Sequence, residues 1–85
     1  MNKIAFIGLG KLGLPLACVL ASAGNKVLCV DKNEHTLSLL TEGQLPFHEP
    51  GLRPLMDQVG ENIVGYTDSY KTAVGDTDAA IIPST

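Results

Sequence analysis

The chain has 85 residues, 45% of them hydrophobic, and its six basic and nine acidic side chains leave a net charge of −3. One small domain fits in that length and a two-domain enzyme does not, because a substrate domain usually adds on the order of 100 residues to a nucleotide-binding half. The acidic balance without clustered Lys and Arg excludes a nucleic-acid footprint, and the apolar content excludes disorder.

Residues 3–8 form a short apolar run ending at glycine, as expected of a strand buried on both faces of a parallel sheet. A helix follows at once. Leu12, Leu16, Val19, Leu20 and Ala23 recur at helical spacing as its core-facing stripe, Pro15 falls in the first turn, and Gly24 supplies a left-handed cap. Residues 26–31 read as the second strand. Asn33 then caps a helix through Leu37 and Leu40 that ends near Gly43, and the loop 44–49 leads to a third helical piece. Pro50 starts that piece, Leu52, Leu55, Met56 and Val59 form its apolar face, and Gly60 ends it. Residues 63–66 read as a short strand, Thr67 or Asp68 caps a brief helix to Val74, and residues 79–82 begin another strand.

This alternation specifies an α/β fold: a Rossmann-like, doubly wound parallel sheet with helices on both faces. In such a sheet the first strand neighbours the fourth, and the ligand crevice opens where the strand order reverses. Lys3, residues 12–21 and the small residues Ala21, Ser22 and Ala23 imitate a secretory signal. Gly13 and Pro15 interrupt that run, however, and Lys11 separates it from the first strand, so a cytoplasmic protein without a membrane partner is expected. Cys18 and Cys29 lack the paired spacing of a zinc site or disulfide scaffold and are expected to be reduced and buried.

Gly8-Leu9-Gly10-Lys11-Leu12-Gly13 is a GxGxxG run between the first strand and the first helix, the context that turns a common glycine pattern into a dinucleotide-binding fingerprint. Gly8 permits the tight turn, Gly10 lets the backbone approach a pyrophosphate, and Gly13 lets the helix pack on the strand. The positive end of the helix then binds phosphate without an arginine. Asp31 ends the second strand, where a carboxylate accepts hydrogen bonds from the adenosine ribose. That carboxylate favours NAD over NADP, with Lys32 beside it placed to soften the repulsion of a 2′-phosphate. His35, His48, Glu34 and Glu49 lack metal-ligand spacing, and Asp57 and Glu61 read as an exposed like-charge pair, so neither a metal site nor an acid–base pair is expected.

With the glycine turn, its continuation Leu14-Pro15-Leu16-Ala17, the strand end Val30-Asp31, the later Glu49-Pro50-Gly51-Leu52 and then Tyr66-Thr67-Asp68, the chain resembles the UDP-glucose/GDP-mannose dehydrogenase family over essentially all its residues. The resemblance implies that residues 1–85 are the N-terminal part of an NAD-binding domain. It also implies a parent enzyme that oxidises the C6 alcohol of a nucleotide sugar to a carboxylate in two hydride transfers to NAD, and that works as a homo-oligomer. The family's nucleophilic cysteine and its assisting lysine, asparagine and aspartate lie beyond residue 85, so no catalytic residue is assigned here and the chain alone is expected to be inactive. The resemblance carries Gly8, Gly10, Lys11, Leu12, Asp31 and Thr85 into the cofactor site, to which the reading of the residues adds Gly13 and Lys32, and the nucleotide sugar would be held by regions outside the chain. Lys11 replaces the family's usual tyrosine, Thr36 stands where many members carry a basic residue, and Pro83-Ser84-Thr85 reorders the usual Val-Pro-Thr. A non-catalytic ligand-gating module of potassium transport shares the strand, glycine turn and Asp, but would not be expected to carry the Glu49 to Leu52 segment. The 6-phosphogluconate type of dehydrogenase usually has methionine where Leu12 stands.

Overall fold

The structure, a computed structural model, describes residues 2–82. Its elements are β1 (Lys3–Ile7), α1 (Gly13–Ser22), β2 (Lys26–Val30), α2 (Glu34–Thr41), α3 (Leu52–Val59), a 3-10 turn (Gly60–Asn62), β3 (Ile63–Thr67), α4 (Tyr70–Asp76) and β4 (Ala79–Ile81). The four strands form one parallel sheet in the order β3-β2-β1-β4, with Phe6 opposite Cys29 on one side and Ile81 on the other.

That order explains the layering. Right-handed crossovers from β1 to β2 to β3 run in one direction and leave their helices on one face; the return past β1 to β4 places α4 on the other. Strand alternation divides the core accordingly. Phe6, Val27 and Cys29 pack with Leu14, Ala17, Cys18, Ala21, Leu40, Leu52 and Val59, while Ala5, Ile7 and Val30 pack with Ala73 of α4. Both faces of β1 are covered, which is why its run from Ile4 to Ile7 is uniformly apolar.

The orientation of α1 departs from the sequence expectation. The buried face carries Gly13, Leu14, Ala17, Cys18 and Ala21, whereas Leu12, Leu16 and Val19 are 68%, 49% and 53% exposed. A Cβ on Gly13 would lie 1.9 Å from the Gly8 carbonyl oxygen, so the helix start is pressed against the strand end and the following turns meet the sheet through small side chains. Leu20 alone of the expected stripe packs against the core.

The termini of the helices are set by local hydrogen bonding. α1 and α2 both end in a Schellman motif around a left-handed glycine: Gly24 and Asn25 donate to the carbonyls of Ala21 and Leu20, and Gly43 and Gln44 to those of Leu40 and Leu39. Asn33 caps α2 by accepting from the N–H groups of His35 and Thr36. Residues 49–52 make a type II turn, with Leu52 N–H donating to the Glu49 carbonyl and Gly51 at φ 83°, ψ −9°. Gly51 rather than Pro50 is therefore the N-cap of α3, and the turn delivers Leu52 into the core. Gly60 keeps a right-handed conformation and passes α3 into the 3-10 turn instead of ending it. At α4 the cap is Ser69, whose Oγ accepts from Thr72 N–H, and not Thr67 or Asp68.

Candidate functional site

The sheet ladder continues past the strand ends. Gly8 N–H donates to the Val30 carbonyl at 2.8 Å and Asp31 N–H to that of Thr67 at 3.1 Å, so the glycine turn and Asp31 stand side by side at the carboxyl edge of the sheet. Residues 8–13 and Asp31 line a cleft of about 240 Å³ there. The sequence-predicted Gly8, Gly10, Lys11, Leu12, Gly13 and Asp31 are thus brought together in one place.

Each glycine of the turn has a different local reason. Gly8 has φ 109°, which an L side chain rarely adopts. Gly13 has no room for a Cβ against the Gly8 carbonyl. A Cβ on Gly10 would meet nothing within 4 Å, so protein packing does not demand glycine there; a ligand drawn close to the backbone would.

The start of α1 carries no cap from the protein's own side chains. Its N-cap, Leu12, offers no side-chain oxygen, its first turn contains no carboxylate, and Pro15 has no N–H to satisfy. Among the described residues, the N–H groups of Gly10, Lys11 and Leu12 find no acceptor in the protein. By contrast α2 and α4 are capped by Asn33 and Ser69. An uncapped helix start with free N–H groups beside a cleft fits a pyrophosphate.

The Asp31 carboxylate is held from both sides, Oδ2 accepting from Leu9 N–H and Oδ1 from Asn33 N–H, each at 2.8 Å. Leu9 is itself anchored, its side chain being 1% exposed in the core beneath the turn. Leu9 and Asn33 are the supporting residues that sequence reasoning did not assign to the site. The signals were an apolar residue between the first two glycines and a cap two residues beyond the acid.

Lys32 follows Asp31 in sequence but is not on the cleft wall. Its Nζ lies 5.6 Å from the centroid of the Tyr70 ring at the start of α4. Thr85, with Pro83 and Ser84, lies outside the described residues.

Cys18 and Cys29 are free and buried. Burial pushes the thiol of Cys29 up to about 12, with Cys18 nearby adding to the shift, and pushes that of Cys18 up as well. Both stay protonated and inert as nucleophiles at neutral pH. Among the described residues no group of three His, Cys, Asp or Glu side chains is placed to hold a metal, and no helix is long and apolar enough to cross a membrane.

A family model described as the NAD binding domain of the UDP-glucose/GDP-mannose dehydrogenase family matches residues 2–84. The UDP-glucose 6-dehydrogenase of Rhizobium meliloti is 42% identical over 81 residues, which cover 94% of this chain and 18% of that enzyme. UDP-glucose 6-dehydrogenase TuaD of Bacillus subtilis is 36% identical over 83 residues, 96% of this chain and 18% of the enzyme. Among solved structures, a GDP-mannose dehydrogenase from Pseudomonas aeruginosa superposes with a TM-score of 0.84 at 31% identity, covering 100% of this chain and 20% of that one. The chain spans about a fifth of the length of the relatives it matches.

Proposed function

Since this chain belongs to the UDP-glucose/GDP-mannose dehydrogenase family, whose NAD binding domain it matches over residues 2–84, we propose that residues 8–13 and Asp31 hold the dinucleotide for a nucleotide-sugar dehydrogenase. The single observation that carries this reading is the cleft itself, where an uncapped helix start and an oriented carboxylate share one wall. The free N–H groups of Gly10, Lys11 and Leu12 take the pyrophosphate, and bare Gly10 lets it approach. Each Asp31 oxygen keeps a lone pair beyond its one protein bond, and these accept from the ribose hydroxyls. Lys11, exposed on the cleft wall, adds positive charge near the phosphates. Thr85 is carried in this reading as a further cofactor contact.

NAD supplies the hydride acceptor when bound; this chain's residues bind and orient it. The parent reaction in this proposal is oxidation of the C6 alcohol of a nucleotide sugar to a carboxylate, by a cytoplasmic homo-oligomer whose nucleophile and sugar-binding groups lie outside residues 1–85. Within the chain neither cysteine serves as the nucleophile, because both are buried and protonated.

Calorimetric titration of the chain with NAD tests the site. Saturable 1:1 binding that Gly10→Val abolishes is expected, and binding that survives Gly10→Val would remove the pyrophosphate from this turn. Formation of NADH by the chain with NAD and UDP-glucose would overturn the assignment of catalysis to residues outside it.

A further inference from the structure

The site places a cation and an anion next to each other in sequence but not in the same place. Asp31 lines the cleft, with both carboxylate oxygens fixed by backbone N–H groups, so its charge cannot swing aside to admit a second anion. Lys32, the next residue, does not line the cleft, and its ammonium sits over the Tyr70 ring.

Tyr70 is held where it is by the fold. Pairing of β2 with β3 places Thr67 beside Val30, and Asp31 N–H donates to the Thr67 carbonyl, which brings the start of α4 alongside the loop after β2. Ser69 then caps the helix and fixes Tyr70 as its first residue. The ring is 38% exposed and belongs to neither core cluster, so core packing does not account for an aromatic there. The described contact that uses its π face is the one with Lys32.

We propose that Tyr70 is a specificity-determining residue for the dinucleotide. By keeping the Lys32 ammonium on α4, it withholds the cation that would compensate a 2′-phosphate placed against Asp31. The ribose with free hydroxyls, which needs no such cation, is favoured. This inference rests on the dinucleotide reading of the cleft and deepens it, because it assigns cofactor choice to a residue on α4, outside the cleft.

The size of the effect follows from the contact. An exposed cation–π contact, converted into a population ratio, corresponds to about a two- to fivefold change in the fraction of Lys32 free to move. That fraction limits the gain in NADP affinity when the contact is lost.

The experiment is calorimetric titration of the chain with NAD and with NADP at low ionic strength, read as the ratio of the two affinities. Tyr70→Leu is expected to move the ratio toward NADP by about two- to fivefold, whereas Tyr70→Phe, which keeps the π face, retains the wild-type ratio. In a Lys32→Gln background Tyr70→Leu is expected to have no effect on the ratio. Lys32→Gln alone, which does not disturb α4, is expected to change NADP affinity by less than about twofold, since the ammonium is already withheld. The inference is overturned if Tyr70→Leu leaves the ratio unchanged, or if its effect persists with Lys32→Gln. It is equally overturned if Tyr70→Phe shifts the ratio as far as Leu does, or if Lys32→Gln alone costs tenfold or more in NADP affinity. A wild-type chain that binds neither dinucleotide overturns the reading of the cleft and this inference with it; NAD binding with an unresponsive ratio overturns this inference alone.

Discussion

The backbone N–H of Leu9 meets Asp31 Oδ2 at 2.8 Å, tying the turn after β1 to the end of β2 through a charged hydrogen bond. Leu9 is fixed from below by its buried side chain, so the bond orients the carboxylate and not the reverse. The acid is thereby set in one position before any ligand arrives, which lowers the ordering cost of binding.

Asp31→Asn follows from that arrangement. An amide has one acceptor oxygen where the carboxylate has two, so either Leu9 N–H or Asn33 N–H loses its partner. Urea unfolding should show a loss of about 1–3 kcal/mol. NAD affinity should fall about tenfold or more in calorimetry, because an oriented charged acceptor for the ribose is gone. Wild-type affinity in this variant would show that the ribose does not use Asp31.

Gly10 and Gly13 should separate binding from folding. Gly13→Ala puts a methyl 1.9 Å from the Gly8 carbonyl oxygen, a backbone atom that cannot swing away, so the start of α1 must shift. A stability loss of about 1–3 kcal/mol is expected in thermal or urea unfolding. Gly10→Ala meets nothing within 4 Å and should leave the unfolding midpoint nearly unchanged while weakening NAD binding, because its methyl enters the space a pyrophosphate needs. Equal destabilisation by the two substitutions would mean that Gly10 is glycine for packing.

The strands and the glycine turn were legible because their signals are local. An apolar run that stops at glycine, followed by a helix and then by Asp31, needs no knowledge of the rest of the chain. The face of α1 was not legible, because Ser22 is the only polar side chain in Gly13–Ser22 and hydrophobic spacing alone cannot choose between two apolar faces. Close approach chose it: with Gly13 pressed on Gly8, only a face with small residues such as Ala17, Cys18 and Ala21 fits against the sheet, and the larger Leu12, Leu16 and Val19 turn outward. The contact between Lys32 and Tyr70 was not legible for a related reason. Sequence adjacency to Asp31 carries no information about Tyr70, which sheet pairing brings from 38 residues away.

Gly51 is the backbone requirement behind the Glu49 to Leu52 segment. At φ 83° any L side chain is strained, although a Cβ there would touch nothing. Gly51→Ala is expected to cost about 1–2 kcal/mol in urea unfolding, with NAD affinity unchanged because the segment does not line the cleft. An unchanged midpoint would show that the turn relaxes to another type without loss.

The buried thiols and Tyr66 predict how stability falls in alkali. Burial raises Cys29 from 9.0 to about 12 and the Tyr66 phenol from 10.0 to about 12, with Cys29 and Cys18 adding to the shift at Tyr66; Cys18 moves in the same direction. In the unfolded chain these groups lose their protons near the ordinary values of 9.0 and 10.0, while in the folded chain they retain them. Between pH 9 and 12 the folded state therefore binds more protons, and stability declines as pH rises. The stabilisation from Cys29 is complete below pH 9 and is lost progressively toward 12, with a slope of up to about 1.4 kcal/mol per pH unit, and Tyr66 and Cys18 add to the decline in the same direction. Urea unfolding under reducing conditions from pH 8 to 11.5 should show this decline. Cys29→Ala removes one titrating group from the core and leaves a small cavity, so it should lower stability at neutral pH yet flatten the alkaline slope by about one proton. A slope that Cys29→Ala leaves unchanged would mean that the Cys29 thiol ionises alike in the folded and unfolded chain.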